Sequence, residues 1–170
     1  RRARDGRMSV KTPLPGHILI PVANQGTAEE LIRLGAAMLD PRSGELSALG
    51  IVEVPEGMPL SEGATRARHA RRLLQKVLDY APSGTTIHPI VRIGRHAAEG
   101  IVEACAAQEA DLIIFGWGGK TPVGANGRPG GPTVFSPTID EVVRDSPADI
   151  AVVKQRGARQ VRRVLVPVRG

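Results

Sequence analysis

The sequence predicts a three-layer, doubly wound α/β domain on an open, parallel, five-stranded sheet. Three observations carry this. Short apolar segments alternate with amphipathic helical ones in the order β-α-β-α-β-α-β-α-β, which implies parallel pairing and right-handed crossovers. Aromatic residues are few, namely Tyr80, Phe115, Trp117 and Phe135, so the core must be Ile, Val, Leu and Ala, as in a parallel sheet covered on both faces. The strand Ala110–Phe115 runs into Gly116-Trp117-Gly118-Gly119-Lys120, and a Gly/Pro-rich loop then leads to a helix opened by Thr138. A strand, glycine loop and helix N-terminus in succession gather backbone N–H groups around an anion.

The elements follow in order. His17–Val22 is a buried first strand. Thr27 and Glu30 read as a capping box, and the helix after them puts Leu31, Leu34, Gly35 and Met38 on one face before Asp40-Pro41 ends it. Glu45–Val54 is the second strand and Pro55–Gly63 a loop. A helix from about Ala64 to Tyr80 buries Ala67, Ala70, Leu73, Leu74, Val77 and Leu78. Its Arg68, Arg71, Arg72 and Lys76 form a solvated basic face. Thr86–Ile93 is the third strand. The next helix turns Ala97, Ala98, Ile101, Ala104 and Cys105 inward and leads to the fourth strand. Thr138 and Glu141 read as a second capping box for a helix stopped by Ser146-Pro147, and Asp149–Val153 is the fifth strand. The first and fourth strands should be central, with Ile18, Leu19, Ile20, Ile113 and Ile114 deeply buried. Ligands of such sheets sit beyond the strand C-termini, where the strand order reverses.

Charge is unevenly placed. Residues 1–11 carry +4, residues 154–170 carry +6, and the segment between carries −4, within a net charge of +6. The basic character therefore belongs to the ends, which argues against a nucleic-acid partner, since that wants a basic face with interleaved aromatics. Basic flanks suit either a membrane-facing position or solvated linkers. No apolar run approaches the roughly 20 residues of a membrane span, no stretch reads as a signal peptide, and the single Cys105 excludes an internal disulfide framework. The expectation is a cytoplasmic location. The chain begins at Arg1 rather than methionine, which reads as a piece of a longer protein. Ile18-Leu-Ile-Pro-Val22 recurs as Val164-Leu-Val-Pro-Val168, either the first strand of a second similar domain or a sixth strand of this one.

Together, Ile20-Pro21-Val22 after the first strand, the Gly94–Ala110 helix leading to Asp111-Leu-Ile-Ile-Phe-Gly116, and the closing Glu141–Val153 segment resemble a universal stress protein domain. The resemblance covers about residues 15–155. That leaves residues 1–14 as a basic leader and 156–170 as a linker with the start of a second domain. The family implies a sheet of order 3-2-1-4-5, homodimers formed through the last strand and, in one branch, ATP binding. The tandem echo and Pro21-Val22-Ala23-Asn24 are similar to the paired domains that follow the membrane part of some amino-acid permeases and cation antiporters. Such a domain would lie at the cytosolic face of the inner membrane.

The resemblance also places a candidate adenine-nucleotide site at Val22, Ala23, Val52, Gly116, Gly118, Gly119, Lys120, Ser136 and Thr138. ATP-binding members carry an acid after the first-strand Pro-Val, where Ala23 stands here. Their loop runs Gly-x-x-Gly, nine residues, then Gly-Ser or Gly-Thr. Gly116 and Gly119 match the first pair, but 16 residues separate Gly119 from Ser136-Pro137, and Pro129 stands ten residues past Gly119. Pro137 has no N–H to give a phosphate, and Ser136 replaces a glycine that permits close approach. Nucleotide binding should accordingly be weak or absent, and no cofactor is assigned. Val52 lines an adenine pocket under the ATP reading or is simply a buried strand residue. Trp117 stacks on a base, caps the sheet or sits at an interface. His17, His69, His88 and His96 show no metal-ligand spacing, and neither a Ser-His-Asp set nor a carboxylate pair is visible, so no enzyme is expected. The two functional readings are a regulatory and dimerisation module of a membrane transporter and an ATP-sensing stress protein.

Overall fold

The computed structural model describes residues 13–117 and 135–154. Five strands, β1 (His17–Pro21), β2 (Glu45–Glu53), β3 (Thr86–Gly94), β4 (Leu112–Gly116) and β5 (Asp149–Val153), alternate with α1 (Gln25–Met38), α2 (Gly63–Leu78), α3 (Ala97–Ala107) and α4 (Pro137–Asp145). A short 3-10 turn, Leu60–Glu62, leads into α2. The strands form one parallel sheet in the order β3-β2-β1-β4-β5. The reversal lies between β1, which pairs with β2 on one side, and β4 on the other. The expectation of two central strands is thus refined: β1 is the centre, and β4 lies between it and the edge strand β5.

Strand alternation sorts the core into two layers. Ile18, Ile20, Leu46, Ala48, Leu112 and Ile114 pack with α1 and α2. Leu19, Leu49, Ile113 and Phe115 pack with α3 and α4. Ile18, Leu19, Ile20, Ile113 and Ile114 are all fully buried. Gly35 lets α1 press onto the sheet, since a Cβ there would stand 2.9 Å from Leu46 Cδ1 and 3.0 Å from Ile20 Cδ1. Pro89 sits in β3, at an edge, where a missing donor costs no ladder bond. At the other end of the sheet, Asp111 accepts from Gly16 N and His17 N at 2.8 and 2.9 Å and so ties the start of β4 to β1.

Both expected capping boxes are replaced by caps further upstream. Asn24 precedes α1 and accepts from Gly26 N at 2.8 Å, so Thr27 lies inside the first turn. Ser136 precedes α4 and accepts from Ile139 N at 3.4 Å, with Pro137 at the first helical position. Pro is favoured there because that N–H has no intrahelical partner to lose. Gly118, Gly119, Lys120 and the Val164–Val168 echo lie outside the described residues.

Candidate functional site

The C-terminal ends of β1, β2 and β4 open onto a cleft of about 460 Å³, at the reversal point where doubly wound sheets bind ligands and within the size range of small-molecule sites. β1 and its exit contribute Pro21, Val22, Ala23 and Asn24, and α1 contributes Thr27 and Leu31. β2 supplies Leu49, Ile51 and Glu53, α3 Ala97 and Ile101, and β4 Phe115 and Gly116. Ser136, Thr138 and Ile139 close the far side at the start of α4. The structure therefore brings together Val22, Ala23, Gly116, Ser136 and Thr138. Val52 is not among them. It lines instead an adjoining groove of about 660 Å³ between β2 and α2, with Thr65, Arg66 and His69, which shares Val22, Ala23, Ile51 and Glu53 with the cleft. Gly116 leaves room in the cleft: a Cβ there would stand 3.1 Å from Leu31 Cδ1.

The walls are mostly apolar, and Glu53 is the one ionisable side chain among the described lining residues. Its Oε1 accepts from Ala97 N at 2.8 Å. It thereby caps α3, whose own N-cap residue, His96, makes no side-chain cap bond. No sequence signal linked these partners, which lie 44 residues apart, although an acid at the C-terminal end of a buried strand is well placed for a ligand.

Three helix N-termini thus converge on the cleft, and each gives one of its N–H groups to a side chain of this chain. Asn24 caps α1, Glu53 caps α3 and Ser136 caps α4. At α4 the consequence for an anion is severe. Pro137 has no N–H, Ile139 N bonds to Ser136 Oγ, and Asp140 N bonds to Ser136 O at 3.0 Å. Only the Thr138 N–H remains without a partner among the described residues. Asp140 also places a carboxylate in the first turn, with Oδ2 buried and unpartnered among the described residues. A negative charge there already complements the helix dipole and would repel a phosphate.

Trp117 stands beside the cleft rather than in it. Its N–H extends the β4–β5 ladder to Val153 O at 2.9 Å. Its ring meets Phe135 edge-on at 5.7 Å and lies under Lys154 Nζ at 4.7 Å. The ring thus packs between Phe135 and Lys154 at the end of the sheet, and its indole N–H is buried without a partner among the described residues. His17 and Cys105 have structural settings. His17 bonds through Nε2 to the buried Ser47 Oγ at 2.8 Å, and burial pushes its pKa down. Burial likewise pushes the Cys105 thiol up. Among the described residues no group of His, Cys, Asp and Glu could hold a metal ion, and no helix is long and apolar enough to cross a membrane.

The sequence profile of the Universal stress protein family matches residues 15–154. A Na(+)/H(+) antiporter from Synechocystis, NhaS5, is 29% identical over 154 residues. The match takes in 89% of this chain but 21% of the antiporter, so the chain spans about a fifth of that relative's length. Among solved structures, the universal stress protein UspA from Lactobacillus plantarum superposes with a TM-score of 0.59 at 19% identity, covering 84% of this chain and 99% of the other. A universal stress protein from Archaeoglobus fulgidus in complex with dAMP gives 0.51 at 16%, covering 79% and 94%.

Proposed function

Since the chain belongs to the universal stress protein family, we propose that it is a non-catalytic regulatory domain of a membrane transporter, with a cleft that takes a nucleoside but has lost its hold on a polyphosphate. The observation that carries the second part is the internal capping of all three helix N-termini around the cleft. A family relative binds dAMP, and the apolar walls here suit an adenine base. The carboxylate of Glu53 stands in the cleft where Ala23 offers none, and it is placed to accept from ribose hydroxyls. It does nothing for phosphates. No nucleophile stands beside a base among the described lining residues: Ser136 Oγ is held in its cap, and Thr27 Oγ1 bonds to Asn24 O at 3.3 Å. The reading is therefore of a binding module.

The antiporter relative supports the transporter host and favours cation exchange over amino-acid transport. The domain would then lie at the cytosolic membrane face and pair through β5 with a second copy or a similar domain. The test is cation-driven proton exchange in inverted vesicles, using the full product of the gene that encodes this chain, with and without residues 15–154. Exchange that persists on deletion but shifts in its cation or pH dependence supports a regulatory role. Exchange that is unaltered, or a gene product without membrane spans, contradicts it.

A further inference from the structure

We propose that the groove between β2 and α2 takes the phosphate of a nucleoside 3′-monophosphate whose base and ribose lie in the cleft. This rests on the nucleoside reading above and adds the chemistry of what the nucleoside carries. The cleft and the groove are not separate spaces, since Val22, Ala23, Ile51 and Glu53 line both. An acid at the shared position 23 would bring a negative charge to both spaces; the methyl group of Ala23 brings none. The charges are sorted between the two. Among the described residues no cation lines the cleft, whose one ionisable side chain is Glu53. The groove adds Arg66 and His69, with Thr65 beside them.

The period of α2 sets these side chains. Arg66, His69, Ala70 and Leu73 recur at three- and four-residue spacing and so share one face, the face that lines the groove. Its apolar part closes onto β2, where a Cβ on Gly50 would stand 3.5 Å from Leu74 Cδ1 and 3.7 Å from Ala70 Cβ. Arg66 Nη1 donates to Glu53 O at 3.3 Å, so the guanidinium is anchored at the strand end that also carries the carboxylate of the cleft. That bond engages one of its five N–H groups, and no carboxylate pairs with it among the described residues. Glu53 decides which edge of a nucleoside faces this way. Its Oε1 is held by Ala97 N, which leaves Oε2 to accept from a ribose hydroxyl. A ribose held by Glu53 turns its 2′,3′ edge to the wall that both spaces share, and its 5′ carbon lies on the far side of the sugar ring. A phosphate on O3′ is then delivered to Arg66 and His69, while Glu53 keeps the 2′-hydroxyl. A phosphate on O5′ is directed away from both cations.

The test is titration calorimetry of the whole 170-residue chain with adenosine, adenosine 3′-monophosphate and adenosine 5′-monophosphate. The 3′-phosphate should tighten binding about tenfold over adenosine, as expected for one charge-assisted hydrogen bond from a solvent-exposed arginine. The 5′-phosphate should add nothing. Arg66→Gln/His69→Gln should bring the affinity ratio of the 3′-monophosphate to adenosine down to about one. Arg68→Gln removes the same charge from the same helix outside the groove and should leave that ratio at its parent value. If none of the three compounds binds, the nucleoside reading fails and this inference with it. If adenosine binds and the 3′-phosphate adds nothing, this inference alone is overturned. A 5′-monophosphate that binds as tightly as the 3′-monophosphate also overturns it, as does a preference that Arg68→Gln reduces as much as the double variant.

Discussion

Replacing Glu53 separates the two tasks that the structure gives it. Its Oε1 is the acceptor for the first turn of α3. Removing it in Glu53→Ala leaves Ala97 N to water, which costs about 1 kcal/mol for a lost cap. Loss of the negative charge at the helix N-terminus adds about 0.5 kcal/mol. For a domain of this size that amounts to a fall in Tm of about 5 °C. Glu53→Gln keeps an acceptor and should lose only the charge contribution, about 2 °C. Binding should order the variants differently. The amide accepts ribose hydroxyls without charge assistance, so adenosine affinity should fall about tenfold in Glu53→Gln, as expected for about 1.5 kcal/mol. The assays are differential scanning calorimetry and isothermal titration with adenosine. If Glu53→Ala melts with the parent, the cap contributes nothing. If Glu53→Gln binds adenosine as tightly as the parent, the carboxylate is not the acid of this cleft.

Three further outcomes follow from the fold. Glu109 lies just past the end of α3 with φ of 49°, its N–H on Ala106 O, and Ala110 N returns to Cys105 O at 3.0 Å, so Glu109→Gly should raise stability by about 1 kcal/mol in a denaturant titration; a loss would contradict the strained cap. Burial lowers the His17 pKa below its ordinary 6.5, so the folded state binds fewer protons than the unfolded one. The stability that this contributes is full above about pH 6.5 and is lost as pH falls below it, and His17→Asn should flatten that part of the pH profile. In β5, Asp149 and Val153 hydrogen-bond towards β4, so strand alternation directs Val152 N–H outward at the sheet edge. Light scattering should show a dimer that Val152→Pro dissociates without unfolding the domain; a monomeric parent at high concentration would refute the edge pairing.

Much of this architecture was legible in the sequence because it rests on periodicity. The runs Ile18–Ile20 and Leu112–Phe115 could only be buried strands, and the spacing of Ala67, Leu74 and Val77 could only be one helix face. What escaped depended on phase or on distance. Period-2 alternation sets Val52 against Leu49 and Ile51, so it lines the groove that adjoins the cleft rather than the cleft itself. Ser136-Pro137 is itself an N-cap followed by a first helical proline, and Thr138 with Glu141 imitated the same signal two residues later. The Glu53–Ala97 bond joins a strand end to a helix start that only the crossover brings together.

The most direct test of the account is titration calorimetry of the purified chain with adenosine and, separately, with ATP and magnesium. If the helix N-termini are closed from within, the triphosphate adds nothing: ATP binds no more tightly than adenosine, at millimolar affinity or weaker. Low-micromolar ATP binding that far exceeds adenosine binding, and that Gly119→Val abolishes, would show that the glycine loop grips phosphates and that the cleft is a working ATP sensor.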